Sequence, residues 1–211
     1  MAVPARIALA TRNTHKLREL RRICADWPTE WVSVEDGDST RFPDVEETGD
    51  TYLENAALKA RAVAAALGLP ALADDSGIEV DALGGRPGPR SARYAGASAT
   101  DEQNLTALIQ AIRGIPAGGR TARYRCVAAL AYPDGALVHA DGTCEGALRS
   151  DPAGSGGFGY DPIFVPIGWD RTMAELTDQE KDRISHRGRA FRGLRELLEA
   201  AGGELGIPNS R

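Results

Sequence analysis

Apolar positions in this chain fall into two patterns: short dense runs, and longer stripes with helical spacing. Arg6-Ile-Ala-Leu-Ala10 is a dense run and reads as a buried first strand. The polar turn Thr11-Arg-Asn-Thr14 follows. From His15 to Ala25, Leu17, Leu20 and Ile23 or Cys24 share one face, which predicts a helix capped by Asn13 or Thr14. Trp31 to Val34 reads as a second strand, and Asp36 to Gly49 as a loop. Thr51-Tyr-Leu-Glu54 is a capping box. It opens a helix to Leu67 whose apolar stripe is Leu53, Ala56, Ala57, Ala60, Val63, Ala64 and Leu67. Tyr52, Asn55 and Lys59 share another face of it.

Leu69 to Ala73 is strand-like and is expected to end at Asp74-Asp75-Ser76-Gly77, with the glycine turning the backbone behind the carboxylates. A further strand is expected over Ile78 to Leu83, then an irregular loop from Gly84 to Pro89. Thr100-Asp-Glu-Gln103 caps a helix that ends near Gly114. Thr121 to Tyr132 and Ala136 to Thr143 flank Pro133-Asp134-Gly135 and predict a hairpin. Gly154 to Asp161 is a glycine-rich loop before a strand over Ile163 to Val165. Thr177-Asp-Gln-Glu180 is a third capping box, with Lys181 in its helix. Ser185-His-Arg-Gly188 leads into an amphipathic helix carrying Phe191, Leu194, Leu197 and Leu198. Residues from 203 on read as a frayed tail. Strands alternating with helices predict an α/β fold, in one domain or one domain with two lobes at 211 residues.

Composition narrows the function. At 42% hydrophobic and 26% charged residues, the chain can bury an ordinary core. A net charge of -5 argues against nucleic acid as a partner, so a polyanionic ligand must meet a local cationic cluster. No apolar run approaches membrane-spanning length, and the N-terminus has no signal-peptide pattern. Cys24, Cys126 and Cys144 fit neither a zinc spacing nor a disulfide framework, and read as reduced thiols of a cytoplasmic protein. Of the 25 basic residues, only Lys16, Lys59 and Lys181 are lysine. Where arginine serves everywhere else, a retained lysine suggests a need for a compact ammonium, as in phosphate binding.

The adjacent acids Asp74 and Asp75 repel each other unless a cation or proton is present. They suit a hard divalent ion, which takes carboxylate and phosphate oxygens. They are also ordinary turn composition. The strand, turn and helix around Thr11 to Lys16 make an anion site, because the first amides of a helix point outward. A lysine in that first turn opposes the helix dipole unless an anion is nearby. Phe158, flanked by glycines, reads either as an exposed stacking platform for a base or as part of a folded loop. His186 and Arg187 offer side-by-side donors, or are simply solvated helix residues.

Read together, Thr11-Arg-Asn-Thr-His-Lys16, Glu46-Glu-Thr-Gly49, Glu54-Asn-Ala-Ala-Leu-Lys-Ala60, Asp74-Asp-Ser-Gly77, Phe158-Gly-Tyr-Asp161 and Ser185-His-Arg-Gly188 resemble the inosine triphosphate pyrophosphatase family. The resemblance covers nearly the whole chain. It implies a two-lobed α/β fold with a long, mixed, twisted sheet, an active cleft between the lobes, and a homodimer. It also implies a Mg2+-dependent hydrolase that converts ITP, dITP and XTP to the monophosphate and pyrophosphate. On this sequence the resemblance makes Asp75 the proton acceptor and a metal ligand, and Glu46 the other ligand, with Glu47 and Asp74 nearby. It makes Thr11, Arg12, Asn13, Thr14, His15 and Lys16 the triphosphate turn, with Ser76, Lys59 and Lys181 in support. Phe158, Gly159, Tyr160, Asp161, His186 and Arg187 become the base pocket. Arg12 departs from the family, in which many members carry glycine there. A broader nucleotide pyrophosphatase and a nucleotide sensor without turnover are the other functions open to these residues.

Overall fold

The computed structural model describes residues 3–37 and 39–203. β1 (Arg6–Leu9) is buried along Ile7, Ala8 and Leu9, as a dense apolar run requires when both faces of a strand are covered. It pairs in parallel with β2 (Glu30–Val32) and with β3 (Ala71–Val80), setting Ala8 beside both Val32 and Ala71. Between them lie α1 (Thr14–Ile23) and α2 (Tyr52–Leu67). Asn13 caps α1, and Thr51 and Glu54 form the expected box on α2. Gly68 ends α2 with φ 66°, a left-handed conformation that glycine adopts without steric cost.

After β3 come α3 (Asp101–Ile112), β4 (Thr121–Ala131) and β5 (Leu137–Leu148). The β4–β5 turn closes as predicted, with the Tyr132 amide donating to Ala136 O at 2.9 Å and Gly135 at φ 93°. β6 (Phe164–Pro166) runs antiparallel to β5, with Leu148 opposite Phe164. Two helices finish the chain: α4 (Asp178–Ile184), capped by Thr177 and Glu180, and α5 (His186–Gly203). The sheet order is β2-β1-β3-β4-β5-β6. Parallel and antiparallel neighbours coexist in it, so the fold is α/β with a mixed sheet and flanking helices.

The chain forms two compact units. The first takes the described residues up to Asp75, Val127–Asp141 and those from Ala190 on. Its core gathers Ala8, Ala10, Phe42, Ala60, Val63, Ala71, Ala73 and Ala131. The second takes Ser76–Cys126 and Gly142–Arg189, around Ile78, Val80, Leu108, Ile112, Tyr124, Ile163, Phe164 and Met173.

Several expectations need correction. Asp74-Asp75-Ser76-Gly77 is not a loop: β3 runs through it without a break, and no positive φ occurs at Gly77. Strand pairing and burial override the turn-like composition there. β3 then ends at Val80, and the expected strand end at Leu83 is a short 3₁₀ turn, Asp81–Leu83. In α5, Phe191, Leu194 and Leu198 are buried, but Leu197 is exposed and off the core stripe. Gly203, expected to open a tail, still closes α5; the rest of that expected tail lies outside the described residues. The three cysteines are free and buried, and burial lifts the Cys144 thiol to about 11. Among the described residues no helix is long and apolar enough to cross a membrane.

Candidate active site

In the first unit, the turn after β1 is built around Asn13. Its side chain accepts from the amides of His15 at 2.9 Å and Lys16 at 3.1 Å. Two of the helix donors expected to face an anion are therefore already capped. Lys16 answers the dipole problem differently from expectation: its ammonium pairs with the buried Asp74 carboxylate at 3.1 Å. Arg12 reaches across to the chain that precedes the acidic loop, donating to Phe42 O at 2.6 Å and to Ser39 O at 3.5 Å.

The acidic loop is fastened to α2. Gly49 donates to Asn55 Oδ1 at 2.8 Å, and a Cβ at Gly49 would sit 2.6 Å from Glu54 Cβ. Only glycine permits that approach. Asn55, fully buried, turns its other end to Asp75, donating from Nδ2 to Oδ2 at 3.2 Å. Lys59 bonds Glu47 and lies 3.7 Å from Asp75 Oδ1. Glu46, next to Glu47, is exposed.

Because Asp74 and Asp75 are neighbours in a strand, their side chains leave on opposite faces. Asp74 meets Lys16, while Asp75 meets Asn55 and Lys59. Burial pushes the Asp75 carboxyl above its ordinary pKa; Lys59, Lys16 and Asn55 pull it back and Glu47 adds to the rise. Burial also disfavours the charged form of Lys59, but Asp75, Glu47 and Asp74 outweigh it and hold the ammonium above its usual value.

The second unit holds a different cluster. Gly157 has φ 69°, and a Cβ there would lie 2.0 Å from Asp161 Oδ2. This close turn lets the Phe158 amide donate to Asp161 Oδ2 at 2.9 Å. Lys181 bonds the same oxygen at 2.5 Å, and Tyr124 donates to Oδ1 at 3.1 Å. Phe158 is half-buried, between the two readings open from the sequence, an exposed platform and a folded loop. Lys181 Nζ and Arg187 Cζ stand 5.2 and 5.7 Å from its ring centroid, within cation–π range. Gly159, at φ 63°, continues the turn, while Tyr160 points into the core and donates to Ser91 O at 2.7 Å. Ser185 caps α5 by accepting from the Gly188 amide at 3.0 Å. His186 and Arg187 follow, both buried rather than solvated. Arg187 donates to Ser76 Oγ at 2.9 Å, and His186 stacks on Tyr124.

The expected residues thus fall into two sets. Thr11–Lys16, Glu46, Glu47, Lys59, Asp74 and Asp75 belong to the first unit. Ser76, Phe158, Gly159, Tyr160, Asp161, Lys181, His186 and Arg187 belong to the second. Two further residues join these sets through their contacts: Asn55, which shares the Lys59 face of α2 by helical spacing, and Tyr124, which carries no sequence signal.

Among the described residues no group of three or more His, Cys, Asp or Glu side chains could hold a metal. Magnesium needs fewer protein ligands than such a group, because it binds through one or two carboxylates and fills its shell with water and phosphate oxygens; the buried Asp75 carboxylate is an oxygen donor of that kind.

The sequence profile of the Ham1 family matches residues 7–197, and the chain belongs to that family. Among curated relatives, the dITP/XTP pyrophosphatase of Streptomyces coelicolor is 53% identical over 92% of this chain and 98% of its own length. That of Geobacillus kaustophilus is 45% identical over 95% of this chain and 97% of its own. A HAM1 protein from Coxiella burnetii superposes with a TM-score of 0.82 at 41% identity, covering 93% of this chain and all of that one (100%). The nucleoside-triphosphatase / dITP/XTP pyrophosphatase of Mycobacterium abscessus gives 0.71 at 44% identity, covering 92% and 98%.

Proposed function

We propose that this chain hydrolyses the non-standard purine nucleotides dITP, XTP and ITP to the nucleoside monophosphate and pyrophosphate, clearing them before they enter DNA or RNA. The observation that carries the reading is Asp75, a buried carboxylate with a raised pKa, bonded by Asn55 and 3.7 Å from Lys59, in a family whose relatives are named for this activity. Water attacks the α-phosphorus, the α–β bridging bond breaks, and pyrophosphate leaves. Asp75 takes the proton from the attacking water, a role that favours a carboxylate whose pKa lies above the ordinary range. Asn55 holds one oxygen of Asp75 in place. Lys16 and Lys59 stand paired with acids and exchange partners when a triphosphate brings its own negative charge. Magnesium, when bound through Asp75 and Glu46 or its neighbour Glu47, offsets charge on the phosphate oxygens.

On the base side, Phe158 supplies a face for stacking, worth about 1–3 kcal/mol per base. Lys181, His186 and Arg187 supply donors. A 6-oxo base accepts them, whereas the 6-amino group of adenine leaves them unpaired. Three free, buried thiols support a site of action in a reducing compartment, the cytoplasm. Assembly as a homodimer belongs to the same proposal and rests on the family resemblance.

A panel of ITP, XTP, dITP, dUTP, GTP and ATP tests the reading, with separate detection of pyrophosphate and orthophosphate, with and without magnesium. The expected result is pyrophosphate from the first three, only with magnesium present. Orthophosphate as the product overturns the cleavage position. Equal turnover of dUTP or GTP points to the broader pyrophosphatase, and binding without turnover to a sensor.

A further inference from the structure

Tyr124 belongs to none of the sequence motifs, yet it touches two parts of the base-side cluster at once. It sits in β4, buried in the core of the second unit. Its hydroxyl donates to Asp161 Oδ1 at 3.1 Å. The other oxygen of Asp161 takes the Lys181 ammonium and the Phe158 amide. Its ring lies 4.6 Å from the His186 ring with only 9° between the planes. Phe164, fully buried, packs against it at 4.7 Å and 58°.

We propose that Tyr124 is a positioning residue for base selection: its hydroxyl fixes the Asp161 carboxylate that orients Lys181 and Phe158, and its ring fixes the plane of His186. The inference rests on the base-pocket reading above. A carboxylate bonded on one oxygen only rotates about its Cβ–Cγ bond, and the ammonium bonded to it moves too. An imidazole without a parallel partner loses its preferred χ2, and with it the direction of its ring N–H. Either change misdirects a donor aimed at a 6-oxo group, and selectivity of this kind depends on donor geometry more than on contact area. Tyr124 itself need not touch the nucleotide. Its backing by Phe164 ties the donors to the buried core of the unit.

Tyr124→Phe removes the hydroxyl and keeps the stack, while Tyr124→Leu removes both. Steady-state kinetics on ITP and ATP with full-length protein separate these parts, with thermal unfolding as a control on folding. For Tyr124→Phe we expect kcat on ITP nearly unchanged and a raised KM. The ITP-over-ATP ratio of kcat/KM should fall roughly tenfold, the low end for one hydrogen bond to a charged group. Tyr124→Leu should lower the ratio further. Equal losses on ITP and ATP, or a lower Tm with an unchanged ratio, would mean a core residue only and overturn the inference. If His186→Ala lowers the ratio and Tyr124→Phe does not, the inference fails and the base pocket stands. If His186→Ala, Arg187→Ala and Tyr124→Phe all leave the ratio unchanged, both fail.

Discussion

Asp75 in the first unit and Asp161 in the second have the same ingredients, a buried carboxylate and a lysine, in opposite states of satisfaction. Asp161 receives a backbone amide, a phenol and an ammonium at 2.5 Å. Asp75 receives one neutral donor, Asn55 at 3.2 Å, and its lysine stands off at 3.7 Å, bonded to Glu47 instead. Burial accordingly raises the Asp75 pKa. A carboxylate with both oxygens engaged by such donors is a fixed part of the scaffold. One that is buried and under-compensated has affinity left for a proton or a cation. The difference separates the residue that does chemistry from the residue that shapes a pocket, although composition alone makes them look alike.

The largest test of this contrast is to replace each aspartate by asparagine. Asp75→Asn should lower kcat by about 10²–10⁴-fold, the usual contribution of a positioned base. Asp161→Asn should act on KM and on the ITP-over-ATP ratio, leaving kcat within about tenfold. Equal kcat losses in a pyrophosphate-release assay would erase the distinction.

Removing the lysines comes next. Lys181→Met strands a carboxylate whose side chain is 4% exposed and should cost about 3 kcal/mol in urea unfolding. Lys59→Met should cost less, about 1 kcal/mol, because Glu47 is partly exposed and returns to solvent, while Asp75, whose pKa is already raised, can take up a proton. The reverse order would show that Asp161 is not the better integrated of the two.

The smallest effect lies at the rim of the second unit. Glu180 accepts from Thr177 N and Oγ1 and from Arg171, and these bonds lower its carboxyl from 4.5 to about 2. A depressed carboxylate contributes stability above its unfolded pKa and loses it as pH falls through the folded value. The Tm gap between wild type and Glu180→Gln should therefore be open at neutral pH and close between 4.5 and about 2. Asp75 has the opposite sign: its raised pKa favours folding below 3.8 and loses that contribution as pH rises through the raised value. A gap at Glu180 that persists at the acid end would break the assignment.

What could be read from the chain was local. The boxes at Thr51, Thr100 and Thr177 formed as spaced, because a cap needs only residues three apart. The Asn13 cap and the stripe of Phe191, Leu194 and Leu198 followed for the same reason. What was missed depended on distant partners. Asp-Asp-Ser-Gly has turn composition, and only pairing within the sheet makes it strand. Lys16 looked unfavourable until Asp74, far along the chain, supplied the anion. Tyr124 is one aromatic in an apolar strand, and its bond to Asp161 spans 37 residues. The acids and lysines of the candidate site were legible by type and spacing, but not which of them face each other.

The scarcity of lysine has a practical consequence. The side chains of Lys16, Lys59 and Lys181 are only 15%, 13% and 4% exposed, and each is engaged by a carboxylate. Amine-directed crosslinkers, dyes and immobilisation resins therefore find no inert lysine to label. Coupling at any of these ammonium groups perturbs the residues proposed to hold the nucleotide, so immobilisation should use a tag or an introduced surface thiol.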